Sequence, residues 1–169
     1  KAGTPEKECC LYIRAENADS EKERRERMRR LVLASHGSLA EGMKSAAVMI
    51  LGGSCQMDAF GLDTWGTPQA ILEEIRKLMA SSPDDEFVIV CDIKGGSACN
   101  AVVELMMEPN VSILSGMNLN LILDLALMPE DKSLAEMAED YIAEARGGIQ
   151  FLNAEVMGDA EKKEDDGLW

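Results

Sequence analysis

The chain of 169 residues is long enough for one well-filled domain and too short for two ordinary ones; with 46% hydrophobic but only 4% aromatic residues, its core must come from aliphatic side chains and eleven methionines. The formal charge of -14 is uneven, because residues 1–30 hold nine Lys and Arg against seven Asp and Glu, and the acidic body that follows repels nucleic acid and anionic membrane while favouring a basic docking face. No apolar run reaches the roughly 18 residues of a membrane span, no apolar leader opens the chain, and Cys9, Cys10, Cys55, Cys91 and Cys99 form no CxxC pair, so a reducing, cytoplasmic setting without a metal or cofactor is expected.

Lys1 to Asn17 has no sustained periodicity and reads as a linker or added lead-in. Ala18-Asp19-Ser20 can cap a helix through Glu21 to Arg30, whose glutamates and arginines sit at pairing distances. The arginines have no interleaved aromatics, so a solvated helix is expected here and no nucleic-acid contact. Residues 1–30 are therefore set apart as a charged extension.

Leu31 to Ser35 is an apolar run that empties into His36-Gly37-Ser38, the pattern of a buried strand with a loop at its carboxyl end. Ser38 with Glu41 three residues on predicts a capping box for a helix from Leu39 to about Leu51, which Gly52-Gly53 ends. Cys55 to Leu62 is weakly alternating and reads as a second, edge strand. Thr67-Pro68 predicts the start of a helix through Ile71, Leu72, Ile75, Leu78 and Met79. Glu86 to Asp92 is the strongest strand signal in the chain. A third helix begins at or just before Ser97 and stops at Glu108-Pro109-Asn110; Val111 to Gly116 is a fourth strand, and Asn118 to Met128 a largely buried helix. Ser133 caps Leu134 to Arg146, Gly147-Gly148 breaks that helix, and Ile149 to Asn153 forms one more short strand before an acidic tail. Such alternation implies an α/β domain with a mainly parallel sheet covered on both faces.

The candidate chemistry lies where the two strongest strands end. His36 and Asp92 emerge on one edge if these strands are parallel, which is where open α/β sheets place their sites. An aspartate that accepts from one ring nitrogen fixes the tautomer and leaves the other nitrogen nucleophilic. Asp92 also fits as a cap of the following helix, so both roles stay open at this point. The amides of Gly37 and Ser38 open one helix and those of Gly95, Gly96 and Ser97 another, with Ser35 and Lys94 nearby, and such donors suit an anion of the phosphoryl kind. With no second histidine and no strand-end glutamate as a hydrolytic base, group transfer to and from His36 fits better than hydrolysis.

Leu31 to Ser38, the segment Val90 to Asn100 with its Asp92-x-x-Gly95-Gly96-Ser97 core, and Ile113 to Leu119 resemble the IIA domain of the mannose/fructose/sorbose class of the bacterial phosphoenolpyruvate-dependent sugar phosphotransferase system. The resemblance runs from about residue 31 to residue 156, leaving 157–169 as the tail. It implies a three-layer sheet of order 2-1-3-4 and a homodimer in which a fifth, antiparallel strand, here Ile149 to Asn153, joins the partner's sheet. It further implies that His36 accepts a phosphoryl group on Nε2 from the phosphohistidine of HPr and passes it to a IIB component, itself docked on membrane IIC and IID proteins, with Asp92 as partner carboxylate and Ser97 in the pocket. Lys94, Ala98 and Cys99 stand where many members carry an aromatic, a proline and a phenylalanine, which implies a different pocket shape. Related folds serve the phosphoryl-transfer subunit of dihydroxyacetone kinase and phosphorylation-controlled regulatory modules, and these are the alternative readings.

Overall fold

The computed structural model describes residues 28–52, 56–129 and 131–153. Within them the chain runs β1 (Arg29–Ser35), α1 (Leu39–Leu51), β2 (Met57–Gly61), a single turn α2 (Leu62–Trp65), α3 (Pro68–Ser81), β3 (Glu86–Cys91), α4 (Ser97–Val102, running on as a 3-10 segment Val103–Met107), β4 (Val111–Ser115), α5 (Leu119–Ala126) and α6 (Leu134–Gly147). The four strands form one sheet in the order β2-β1-β3-β4, and every pairing is parallel.

Alternate residues of the two central strands serve opposite layers. Leu31, Leu33, Val88 and Val90 pack with Ala40 and Ala47 of α1, Leu121, Ile122 and Leu125 of α5, and Leu134 and Ala145 of α6. Val32, Ala34, Phe87, Ile89 and Cys91 pack on the other face against Ile71, Leu72 and Ile75 of α3 and Cys99, Val102 and Leu105 of α4. With both faces covered, these strands read as unbroken apolar runs instead of alternating ones. The two lateral strands are half-buried, and β2 is an edge as its weaker pattern implies. Thr67 caps α3 by accepting from the Ala70 amide at 3.1 Å, and Asn118 caps α5 through the Leu121 amide at 3.0 Å.

Two expectations are corrected. The helix expected to run to Arg30 does not reach it, since Arg29 and Arg30 open β1 opposite Glu86 and Phe87; the rest of that expected helix lies outside the described residues. Arg29 Nε reaches Glu86 at 2.9 Å and Arg30 Nε reaches Asp85 at 2.7 Å, and half-buried charged hydrogen bonds of about 1.5–3 kcal/mol outweigh a helix preference of at most about 0.7 kcal/mol per residue. Ile149–Asn153, expected to join a partner's sheet, carries no strand pairing among the described residues, and Ile149, Phe151 and Leu152 are exposed.

The second correction concerns the start of α1. Ser38 makes no capping hydrogen bond, and its place is taken by Ser35, whose fully buried hydroxyl accepts from the Ala40 amide at 2.8 Å. Glu41 turns away from Ser38 and accepts from the Gly61 amide at 2.9 Å. Because the cap is supplied from inside the strand, Ser35→Ala removes the only acceptor of a buried donor and is expected to cost about 1–2 kcal/mol. That loss corresponds to a fall in melting temperature of about 2–8 °C, read by thermal denaturation, whereas Ser38→Ala is expected to leave the melting temperature unchanged.

Candidate functional site

Parallel pairing of β1 with β3, with Ala34 beside Cys91, brings the loops that follow them to one edge of the sheet. His36 and Asp92 meet there. A single carboxylate oxygen, Asp92 Oδ2, accepts from the main-chain N–H of His36 at 2.8 Å and lies 2.8 Å from its ring Nδ1. The other oxygen, Oδ1, accepts from the Ile93 amide at 2.8 Å. Asp92 therefore caps no helix: α4 begins five residues later, and the side chain is spent on the histidine.

The side chain of Asp92 is 11% exposed and that of His36 is 45% exposed. Burial works against the charge on Asp92, but the hydrogen bonds from the His36 main chain, the His36 ring and the Ile93 amide outweigh it and hold the carboxyl below the usual range. An ionised carboxylate has no proton to give, so Nδ1 is the ring nitrogen that carries one. In the neutral ring Nε2 then holds the lone pair, and the Ser97 hydroxyl stands 3.1 Å from it, able to donate.

The remaining sequence candidates divide. Gly37 and Gly95 adopt left-handed φ values of +54° and +77°, which let the two loops turn beside the ring. Gly96 donates its amide to Ile93 O at 3.2 Å and acts through its missing side chain: a Cβ there would fall 2.7 Å from His36 Cε1. Ser38 and Lys94 are exposed, and neither side chain makes a hydrogen bond or ion pair among the described residues. Ser35 lies beneath the site and is used up in capping α1. Asn100, which the sequence reading left without a role, donates to Gly95 O at 3.0 Å and steadies the second loop. Cys91 and Cys99 are free and buried behind the site; burial pushes the Cys91 thiol up, and the neighbouring Cys99 adds to this. They act as small apolar side chains. Among the described residues no cluster of His, Cys, Asp or Glu has a metal-binding arrangement.

A family model described as the PTS system fructose IIA component matches residues 30–142, which take in all four strands but for Arg29, and both site loops. The chain belongs to this IIA family. It is thus a phosphotransferase-system component, with the phosphoryl-carrier function of the family. The sorbose-specific EIIA component of Klebsiella pneumoniae is 30% identical over 95 residues, spanning 56% of this chain and 70% of the relative. A crystal structure described as that of a phosphoenolpyruvate-dependent sugar phosphotransferase system (PTS) permease, also from Klebsiella pneumoniae, is 28% identical, covers 78% of this chain and 96% of its own, and has a TM-score of 0.65. The mannose/sorbose-specific IIA subunit from Enterococcus faecalis shares the IIA fold at 20% identity, with a TM-score of 0.63 over 75% of this chain and 96% of its own.

Proposed function

We propose that this IIA domain carries the phosphoryl group on Nε2 of His36, taking it from the phosphohistidine of HPr and handing it to a IIB component. The contact that supports this reading most is the one from Nδ1 to Asp92, because it prepares the opposite nitrogen for attack. In the forward step the Nε2 lone pair attacks phosphorus as the P–N bond to the donor histidine breaks, and that bond's electron pair returns to the donor ring. The positive charge that develops on His36 is met by Asp92 through Nδ1–H, and the phosphoryl oxygens fall to the Ser97 hydroxyl and to the loops at Gly37-Ser38 and Gly95-Gly96-Ser97. Lys94 adds a cation at the rim. Transfer to IIB is the reverse attack with a new acceptor, and no proton has to leave Asp92 or reach it in either direction.

His36 is the only histidine in the chain. Incubation with phosphoenolpyruvate, the general phosphotransferase enzyme and HPr is therefore expected to add one acid-labile, base-stable phosphoryl group per chain. A chain that stays unlabelled with a cognate HPr overturns the assignment. Residues 31–156 form the carrier domain in this reading. It works on the cytoplasmic side, reaching the membrane IIC and IID proteins through IIB; among the described residues no helix is long and apolar enough to cross a membrane.

The carrier is further read as a homodimer. Ile149, Phe151 and Leu152 are 80%, 76% and 64% exposed at the end of α6, and β4 leaves an open sheet edge. An antiparallel exchange of Ile149 to Asn153 onto the partner's sheet satisfies backbone groups at both edges and covers the apolar side chains in two-fold fashion. Light scattering is expected to give twice 18.4 kDa for the intact chain, and monomer or aggregate after truncation at Arg146. A monomeric intact chain at micromolar concentration sinks the exchange.

A further inference from the structure

Glu41 lies on the first turn of α1, yet its carboxylate crosses to the end of β2. Oε1 accepts from the Gly61 amide at 2.9 Å. Oε2 is shut off from solvent and has no hydrogen-bond partner among the described residues. A side chain at Gly61 would collide with both oxygens of Glu41 and with the carbonyl oxygen of Gly37, so these groups share one small space directly under the loop that carries His36. The same Gly37 oxygen accepts from the Asp63 amide at 3.2 Å, which ties that loop to α2. A buried carboxylate oxygen left without a donor is a cost to stability, and such costs gather where a functional group must be held in place.

We infer that Glu41 is a positioning residue for His36: its carboxylate braces the β2–α2 turn against the His36-Gly37 turn, so that the ring is held from below as Asp92 holds it from the side. The inference rests on His36 being the phosphoryl acceptor. Geometry decides which side chains can do this work. Glutamine keeps an acceptor for the Gly61 amide and places an NH2 group near the Gly37 carbonyl, where it can donate. Aspartate keeps the charge but is one methylene too short to reach Gly61. Alanine removes the brace.

Single-turnover transfer from phospho-HPr tests this, with the parent, Glu41→Ala, Glu41→Asp and Glu41→Gln compared. Loss of the brace is expected to slow transfer about 10- to 100-fold in the Ala and Asp variants, the scale on which a small misplacement of a reacting group acts. Gln is expected to restore the rate. Since the chain has one histidine, 15N resonances of its imidazole report the tautomer without ambiguity, and the Nδ1–H form should dominate in the parent and mix with the Nε2–H form in Ala and Asp. A merely structural Glu41 would lower the melting temperature and leave both the tautomer and the rate of the folded protein unchanged. If the Ala variant does not fold, Asp and Gln decide. A folded Asp or Ala variant that transfers at the parent rate overturns the inference, as does a Gln variant as slow as Asp. A parent that takes no label overturns the carrier reading and this inference with it, whereas a labelled parent with unaffected variants overturns the inference alone.

Discussion

Replacing His36 by glutamine is expected to abolish phosphoryl uptake. Glutamine fills a similar volume at the end of β1 and can keep the main-chain N–H bond to Asp92 Oδ2, so the fold should survive. It has no ring nitrogen with a lone pair, and no other histidine exists to take its place. With radiolabelled phosphoenolpyruvate, the general enzyme and HPr, label is expected on the parent and none on the variant, at matched circular dichroism. Persistent label on His36→Gln would move the acceptor to another residue and remove the basis for the site described above.

The second large effect is expected at Asp92→Asn. The substitution keeps the shape of the side chain, and an amide oxygen can still accept from the His36 main chain. What changes is the support given to the ring. With the amide oxygen in the place of Oδ2, one neutral acceptor serves both the main-chain N–H and Nδ1–H, the NH2 is turned against the Ile93 amide, and the charge that steadies the imidazolium is lost. Transfer is expected to slow by about 10- to 10⁴-fold, the range seen when an orienting carboxylate or an electrostatic partner is removed. Unchanged single-turnover kinetics would show that Asp92 only shapes the loop. The pH dependence of stability follows from the same contact. Asp92 is held below the usual carboxylate value of about 3.9, so its contribution is fully present above that pH and is lost as the pH falls through the depressed folded value. Acid denaturation curves of the parent and Asp92→Asn should therefore differ above about pH 4 and converge below it.

Much of this arrangement was legible before any coordinates, and the parts that were not share a cause. The runs Leu31 to Ser35 and Glu86 to Cys91 are buried on both faces, so their composition alone marks them as central strands, and Gly-containing loops behind each pointed to the edge where His36 and Asp92 meet. Local signals such as Thr67-Pro68 and Ser133 also carried their helix starts, because the partner groups lie within one turn, the Ala70 amide for Thr67 and the Glu136 carboxylate for the Ser133 amide. Failure came where a long-range contact overrode a local one. Ser38 and Glu41 have the spacing of a capping box, but the buried Ser35 hydroxyl already serves the Ala40 amide, and Glu41 finds Gly61 twenty residues away. Arg29 and Arg30 look helical until Asp85 and Glu86 are brought beside them by the sheet. Gly96 was read as a donor, and its need for a bare Cα shows only when the histidine ring is in view. Ile149 to Asn153 has strand composition, and the pairing expected for it lies with a second chain, so none is seen among the described residues.

The double use of Asp92 Oδ2 has a further consequence for how a relay of this kind keeps time. One oxygen grips the residue twice, at its backbone and at the ring nitrogen that takes no part in the transfer, and neither grip has to loosen when cargo arrives at Nε2 or departs. In the proposed carrier the Asp92 side of the ring can then stay as it is through loading and unloading, and the change is confined to the Nε2 side, where the Ser97 hydroxyl passes from the ring nitrogen to a phosphoryl oxygen. What distinguishes the loaded form is the cargo itself, a compact double negative charge beside Ser97.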